Sequence, residues 1–383
     1  MRRAATLLAV LGVLVAGCGG SKSTSARTTT TKVDVVKGAG TQHGGFDPEA
    51  IYEREAPGVV TIFSVNGGGL GGIRSGGLGS GFILDGQGEI VTNAHVVTEG
   101  KNDAIHEVGQ VYVDFADGNR VPARIVGFDP DADVALLKID PAGLELHPLP
   151  LGNSDRVKVG QPVAAMGSPF GEKQSLSVGV VSAVDRDVES LTNFQISGAS
   201  QTDAASNPGN SCGPLVDGGG RVLGLNQQIQ SQSGGGEGVG FAVPIDLAKR
   251  SVTQLREQGR VDYAYLGVST TPLYPQLAEH FNLPVQRGAW VQVVTPGGPA
   301  EGAGLRGGKP GSEAFQAQPV RTGGDVIVKV GPHDIMGAND LSEAVARLNP
   351  GQTVPVVVFR GSTRKTIQVK LAKRPEASSV TGG

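Results

Sequence analysis

The 383-residue chain has little cysteine, Cys18 and Cys212 only, and few aromatics, with one Trp, five Tyr and eleven Phe. Two thiols so far apart exclude a disulfide framework as the source of stability, and no bridge between them is expected. An excess of one charge is also missing: 33 Lys and Arg stand against 36 Asp and Glu, a formal net charge of −3. That balance excludes the basic footprint of a nucleic-acid binder. The six histidines show no metal-ligand spacing, and no metal or other cofactor is expected. Apolar runs are short. The longest, Ala4 to Val15, falls well below the roughly 20 residues a membrane-spanning helix needs.

Glycine is what abounds, at 60 residues, more than double its usual share of about 7%. Its distribution helps divide the chain. Met1-Arg2-Arg3 followed by the apolar run reads as a signal peptide over residues 1–17. Its end, Val15-Ala16-Gly17-Cys18, resembles a bacterial lipoprotein box. The resemblance implies cleavage before Cys18, a lipid on that cysteine, and an extracytoplasmic protein anchored to the membrane by it. Residues 18–47, rich in Ser, Thr, Gly and Lys, cannot bury enough apolar surface to order themselves and read as a tether.

Residues 48–258 alternate short β-runs with Gly, Asp and Asn turns, the pattern of a barrel or sandwich. Strands are expected at Phe82–Leu84, Glu89–Val91, Val111–Phe115, Arg120–Val126, Val134–Ile139, Pro162–Met166, Val178–Val184, Leu191–Ile196, Val222–Gln228 and Val239–Val243. A helix is expected over Ile245–Glu257, stopped at Gly259. The glycine-rich run Gly67–Gly81 is read as a surface loop; a phosphate loop would need a helix after it, and Phe82-Ile83-Leu84 is a strand. Residues 262–375 form a second unit of strands with a helix at Leu341–Leu348, its N-cap near Asn339. Leu341, Ala344, Val345 and Leu348 there fall on one apolar face. The segment Lys309–Thr322 has no assigned structure and reads as an insertion. Residues 376–383 read as a disordered tail.

Three local sequences carry chemistry: Thr92-Asn93-Ala94-His95-Val96-Val97, Asp131-Ala132-Asp133-Val134-Ala135, and Ser206-Asn207-Pro208-Gly209-Asn210-Ser211-Cys212-Gly213-Pro214. Each key residue has a plain structural reading when taken alone. Ser211 would be a turn residue, His95 a core histidine, Asp133 a cap before its strand. In the order His, Asp, Ser the three motifs together resemble the HtrA/DegP branch of the trypsin-like serine proteases. A serine hydroxyl is a poor nucleophile until an imidazole takes its proton, and that imidazole needs a buried carboxylate to fix its tautomer. The resemblance therefore implies Ser211 as nucleophile, His95 as general base and then acid, and Asp133 as its orienter. It implies two six-stranded Greek-key barrels, mainly β, followed by an α+β PDZ domain. The loop Gly209-Asn210-Ser211 would supply the oxyanion donors.

The specificity pocket is expected from Ala205 and Ser206 before the nucleophile and from Gln228 and Ile229 after it. No carboxylate stands there, which argues against cleavage after Lys or Arg; the family likeness implies small aliphatic residues instead. Cys212 departs from the family, which usually has glycine after the nucleophile. Its Cβ and thiol are expected to crowd the oxyanion loop and slow hydrolysis, and its oxidation would add bulk beside Ser211. The competing reading is a catalytically impaired chaperone or scaffold on the same fold. Tyr265-Leu266-Gly267-Val268 resembles the carboxylate-binding loop of PDZ domains, which implies capture of peptide C-termini by strand addition. The family likeness further implies misfolded envelope proteins as substrates, degradation without ATP, and a homotrimer.

Overall fold

The structure, a computed structural model, describes residues 45–65, 76–168, 174–192, 194–204, 212–227, 239–311 and 313–375. Two barrels come first. One is built from β1 (Val59–Val65), β2 (Gly76–Ile83), β3 (Glu89–Thr92), β4 (Gln110–Asp114), β5 (Arg120–Asp129) and β6 (Val134–Lys138). The other is built from β7 (Pro162–Gly167), β8 (Ser175–Glu189), β9 (Gln195–Thr202), β10 (Pro214–Val216), β11 (Val222–Gln227) and β12 (Gly240–Pro244). Both rings close, and both follow one order: the first three strands in sequence, then the sixth, fifth and fourth. This repeated Greek key leaves neither sheet with a free edge.

The period-2 logic is clearest in β6. Val134, Ala135, Leu136 and Leu137 are all fully buried. Ala135 and Leu137 pack in the core of the first barrel, while Val134 and Leu136 join a second cluster with Val252 and Leu255 of a helix outside it. A strand covered on both faces is an unbroken apolar run. Each such leucine contributes roughly 2 kcal/mol of burial.

The glycine run is in part a correction to the sequence reading, its residues 67–75 lying outside the described residues. Gly76–Ile83 is strand β2, not loop. A Cβ on Gly79 would lie 2.6 Å from Val96 Cγ2, and one on Gly81 would lie 2.7 Å from both Ile62 Cδ1 and the Val91 carbonyl oxygen. These glycines admit neighbouring atoms to van der Waals contact with the backbone. The expected strands at Val178–Val184 and Leu191–Ile196 also differ. One long strand, β8, runs to Glu189 with register shifts beside Val181, Ala183 and Arg186. Leu191 belongs to a turn held by Ser190, whose Oγ accepts from Thr192 N at 3.0 Å and donates to the Phe194 carbonyl at 2.6 Å.

Helices are few: α1 (Pro48–Glu55), α2 (Ala94–Val97), α3 (Ile245–Gln258), α4 (Pro275–His280), α5 (Pro299–Gly302) and α6 (Ala338–Ala346). α3 lays Ile245, Ala248, Val252 and Leu255 on the barrels and ends at Gly259, whose φ of 71° is left-handed.

The C-terminal sheet runs β13 (Val268–Leu273), β14 (Gly288–Val294), β15 (Val326–Val330), β16 (Thr353–Arg360), β17 (Thr363–Lys370) in spatial order. α6 covers it with Leu341, Ala344 and Val345. α6 begins before the expected Leu341 and is capped at Gly337, not Asn339. The Asp340 carboxylate accepts from Met336 N at 2.7 Å and Gly337 N at 3.0 Å, so the chain enters the helix earlier than its apolar stripe suggests. The unassigned segment contains a hairpin, Glu313–Phe315 against Gln318–Val320, turning at Gln316 and Ala317 with φ of 47° and 63°. Phe315 packs with His280 and Phe281, and Phe281 lies 5.3 Å from the fully buried ring of Trp290. The Trp290 indole donates to the Gly324 carbonyl at 3.2 Å.

Candidate active site

Sheet register brings the first two motifs together. β3 and β6 are antiparallel, with Thr92 opposite Ala135. Just beyond that pair, the chain leaving β3 enters the single turn α2, and Asp133 waits at the start of β6. The result is a dense set of bonds. His95 Nδ1 lies 2.8 Å from Asp133 Oδ2, and the His95 amide donates to Asp133 Oδ1 at 3.0 Å. Asn93 Nδ2 donates to the Asp133 carbonyl at 2.8 Å and to Oδ2 at 3.2 Å. Asp133 is fully buried, while the His95 side chain is 24% exposed. Asp133 also sits at a φ of 53°. Asp tolerates this region better than most residues, and the surrounding bonds hold it there.

A carboxylate can only accept, so Nδ1 carries the proton and Nε2 presents its lone pair. Burial pushes the His95 pKa down, the charge and hydrogen bond of Asp133 push it up, and the net position is well above 6.5. Cys212 Sγ lies 3.2 Å from Nε2. That side chain is fully buried in the core of the first barrel, although its backbone belongs to the second. The Cys212 amide donates to the Asn226 carbonyl at 2.8 Å, and Asn226 N donates to the Gly213 carbonyl at 2.9 Å. A Cβ on Gly213 would fall 1.9 Å from the Met166 carbonyl oxygen, so no side chain fits there. Across the join of the barrels, Thr61 Oγ1 donates to Ser168 Oγ at 2.5 Å and Ser168 N to Ser80 Oγ at 2.9 Å.

The loop before Asp133 is anchored separately. Asp129 Oδ1 accepts from the amides of Asp131 and Ala132 at 3.1 and 3.2 Å. Its Oδ2 accepts from Ser251 Oγ at 2.6 Å and Tyr263 OH at 2.7 Å. Burial nonetheless pushes the Asp129 pKa up to about 6, against the lowering effect of those hydroxyls. Asp131 receives Thr192 Oγ1 at 2.5 Å and Arg374 Nη1 at 3.3 Å.

Of the residues expected from the sequence, His95 and Asp133 are thus in contact. Ser211, Gly209, Asn210, Ala205, Ser206, Gln228, Ile229 and Cys18 lie outside the described residues. Tyr265, Leu266, Gly267 and Val268 lie together where the chain enters β13. The Leu266 and Gly267 carbonyls accept from Ala300 N and Thr295 N, both at 2.9 Å, and Gly267 has a φ of 81°. In a trans peptide the next amide points opposite to such a carbonyl, so the Gly267 and Val268 N–H groups face away from the Thr295–Ala300 turn. One residue and one contact were missed. Asn93 stands inside the histidine motif, yet only the β3–β6 register reveals that it grips Asp133. Cys212 was expected to crowd the oxyanion loop, which lies outside the described residues; the contact of its sulfur with the imidazole was not foreseen.

The trypsin-like peptidase domain family matches residues 79–225 and the PDZ domain family matches residues 264–371. The chain is 38% identical over 306 residues to a probable periplasmic DegP-like serine endoprotease of Halomonas elongata, covering 80% of this chain and 58% of that protein. It is 39% identical over 303 residues to the chloroplastic Protease Do-like 1 of Arabidopsis thaliana, covering 79% of this chain and 65% of that protein. It therefore spans less than two thirds of the length of these curated relatives. Among solved structures, the HtrA-type protease AlgW with a tripeptide aligns with a TM-score of 0.69 and 33% identity, covering 86% of this chain and 98% of that one. A serine endoprotease from Yersinia pestis aligns with a TM-score of 0.58 and 30% identity, covering 86% and 99%. With twin barrels, a paired imidazole and carboxylate at their join, and a C-terminal PDZ domain, the chain belongs to the HtrA-type family of serine proteases.

Proposed function

We propose that the chain is an extracytoplasmic serine endopeptidase in which Ser211 attacks the scissile carbonyl, His95 takes and returns the proton, and Asp133 orients His95. The observation that carries this reading is the 2.8 Å contact of His95 Nδ1 with buried Asp133. It leaves Nε2 as the base, and Cys212, the neighbour of Ser211 in the chain, lies 3.2 Å from that atom. The hydroxyl proton passes to Nε2 as the Ser211 Oγ–C bond forms. It then passes to the amine as the peptide C–N bond breaks, and water repeats the cycle on the acyl-enzyme. Gly209, Asn210 and Ser211 would line the oxyanion site. Ala205, Ser206, Gln228 and Ile229 would line a pocket for a small aliphatic residue.

The protease domain is taken as residues 48–258 and the peptide-binding domain as residues 262–375. The outward amides at Gly267 and Val268 suit a terminal carboxylate, and β13 with α6 suits an added peptide strand. Misfolded envelope proteins as substrates, a homotrimeric assembly and a lipid on Cys18 complete the proposal. The names of the periplasmic relatives support the location. Among the described residues no helix is long and apolar enough to cross a membrane.

Casein digestion by the full chain against Ser211→Ala tests the reading, with fluorophosphonate labelling of Ser211 as the direct assay. Loss of both in the variant is expected; digestion by wild type equal to that of Ser211→Ala would leave the chaperone reading standing. Palmitate incorporation that disappears in Cys18→Ser tests the anchor.

A further inference from the structure

We propose that Cys212 is a second partner of the base: its thiol donates to His95 Nε2 and competes with Ser211 for that lone pair, restraining the enzyme at rest. This inference rests on the reading of His95 as general base. The ring has a single lone pair once Nδ1–H is given to Asp133, and one lone pair takes one good donor. Sγ lies 3.2 Å from Nε2. The sulfur cannot swing to water, because Cys212 is 1% exposed and packed with Val96, Val97 and Leu137 in the core of the first barrel. Its backbone is fixed by the bond to the Asn226 carbonyl. The position itself disfavours a side chain: Cys212 has a φ of 74°, a region that glycine enters without strain. The chain thus carries a thiol, against conformational preference, beside the one atom the serine hydroxyl must reach.

The titratable groups facing the ring, among the described residues, are Asp133 at Nδ1 and Cys212 at Nε2. In the hydrogen-bonded form Nε2 is unavailable to Ser211.

The test compares wild type, Cys212→Ala and Cys212→Gly in the full chain, by the rate of fluorophosphonate labelling and by kcat/KM against pH. Alanine removes the thiol and keeps the backbone strain; glycine removes both. Both variants are expected to label about two- to tenfold faster, the span of one ordinary net hydrogen bond. Both should also shift the acid limb of the profile to higher pH, since a donor at Nε2 favours the neutral ring and its loss makes the imidazolium easier to form. A purely structural role would raise the melting temperature of the glycine variant and leave the limb in place. Superimposable limbs and labelling rates in wild type and Cys212→Ala would overturn the proposal, while loss of hydrolysis in Ser211→Ala and His95→Ala would keep the underlying reading intact. Hydrolysis that survives Ser211→Ala but not Cys212→Ala would overturn both.

Discussion

Asp133 holds a left-handed backbone while both carboxylate oxygens accept bonds from His95. Its role in the proposed triad is therefore positional as well as electrostatic, and an amide cannot copy it. Asp133→Asn is expected to lower kcat by about a thousandfold or more with little change in KM, the order seen when a triad carboxylate is neutralised. Steady-state cleavage of a peptide substrate checks this. The pH dependence follows from the raised His95 pKa. As the proposed base, His95 must be neutral to act, so the acid limb of kcat/KM should lie above 6.5, the ordinary histidine value. A limb below that value would contradict the geometry. His95 and Asp133 were legible in the sequence because the chemistry demands those residue types in those motifs. Asn93 was not, because an amide gripping a carboxylate across two strands has no local signature. The sulfur–imidazole contact was equally hidden, since it depends on a side chain crossing from one barrel to the other.

At the scale of elements, β2 shows where pattern reading stops. Its glycines suggested a loop, because glycine alone says only that the backbone is unencumbered. The reason for them lies in Val96, Ile62 and Val91, which press on the strand from elsewhere in the chain. Gly81→Ala should cost about 1–3 kcal/mol, the usual cost of overpacking a core, because one of its contacts is backbone and cannot rotate away. Urea unfolding of the variant measures it. By contrast β6 and α3 were legible from the start. An unbroken apolar run and a helical stripe ending in glycine are local facts, and burial on both faces of β6 follows from them. The paired barrels came from the family likeness. The strand boundaries of β8 and β9 did not follow, because bulges break the alternation on which the reading relied.

In the molecule as a whole, the loop that presents Asp133 is held by the C-terminal part of the chain. Tyr263 bonds Asp129, and Arg374 reaches Asp131 while its guanidinium stacks 4.3 Å from Phe194 and 4.7 Å from Tyr263. On the neighbouring face, Arg347 of the turn after α6 forms two bonds with Asp155, at 2.7 and 3.1 Å. The pKa of Asp129, raised to about 6, lies above the ordinary carboxylate value. Its contribution to stability is therefore fully present below about pH 4 and is lost as pH rises through 6. Tyr263→Phe removes a donor that the ionised carboxylate needs more than the neutral one. The variant should lose about 1 kcal/mol at pH 5 and about 2–3 kcal/mol at pH 7.5. Urea midpoints at the two values decide it; an equal loss at both would mean that Asp129 does not ionise in the folded protein.

The lone indole of the chain, Trp290, lies sealed in the C-terminal domain beneath Phe281. Its emission spectrum is thus a private gauge of that domain. A denaturant titration followed at the tryptophan wavelength and again by far-ultraviolet circular dichroism would report whether the C-terminal unit melts apart from the barrels or together with them.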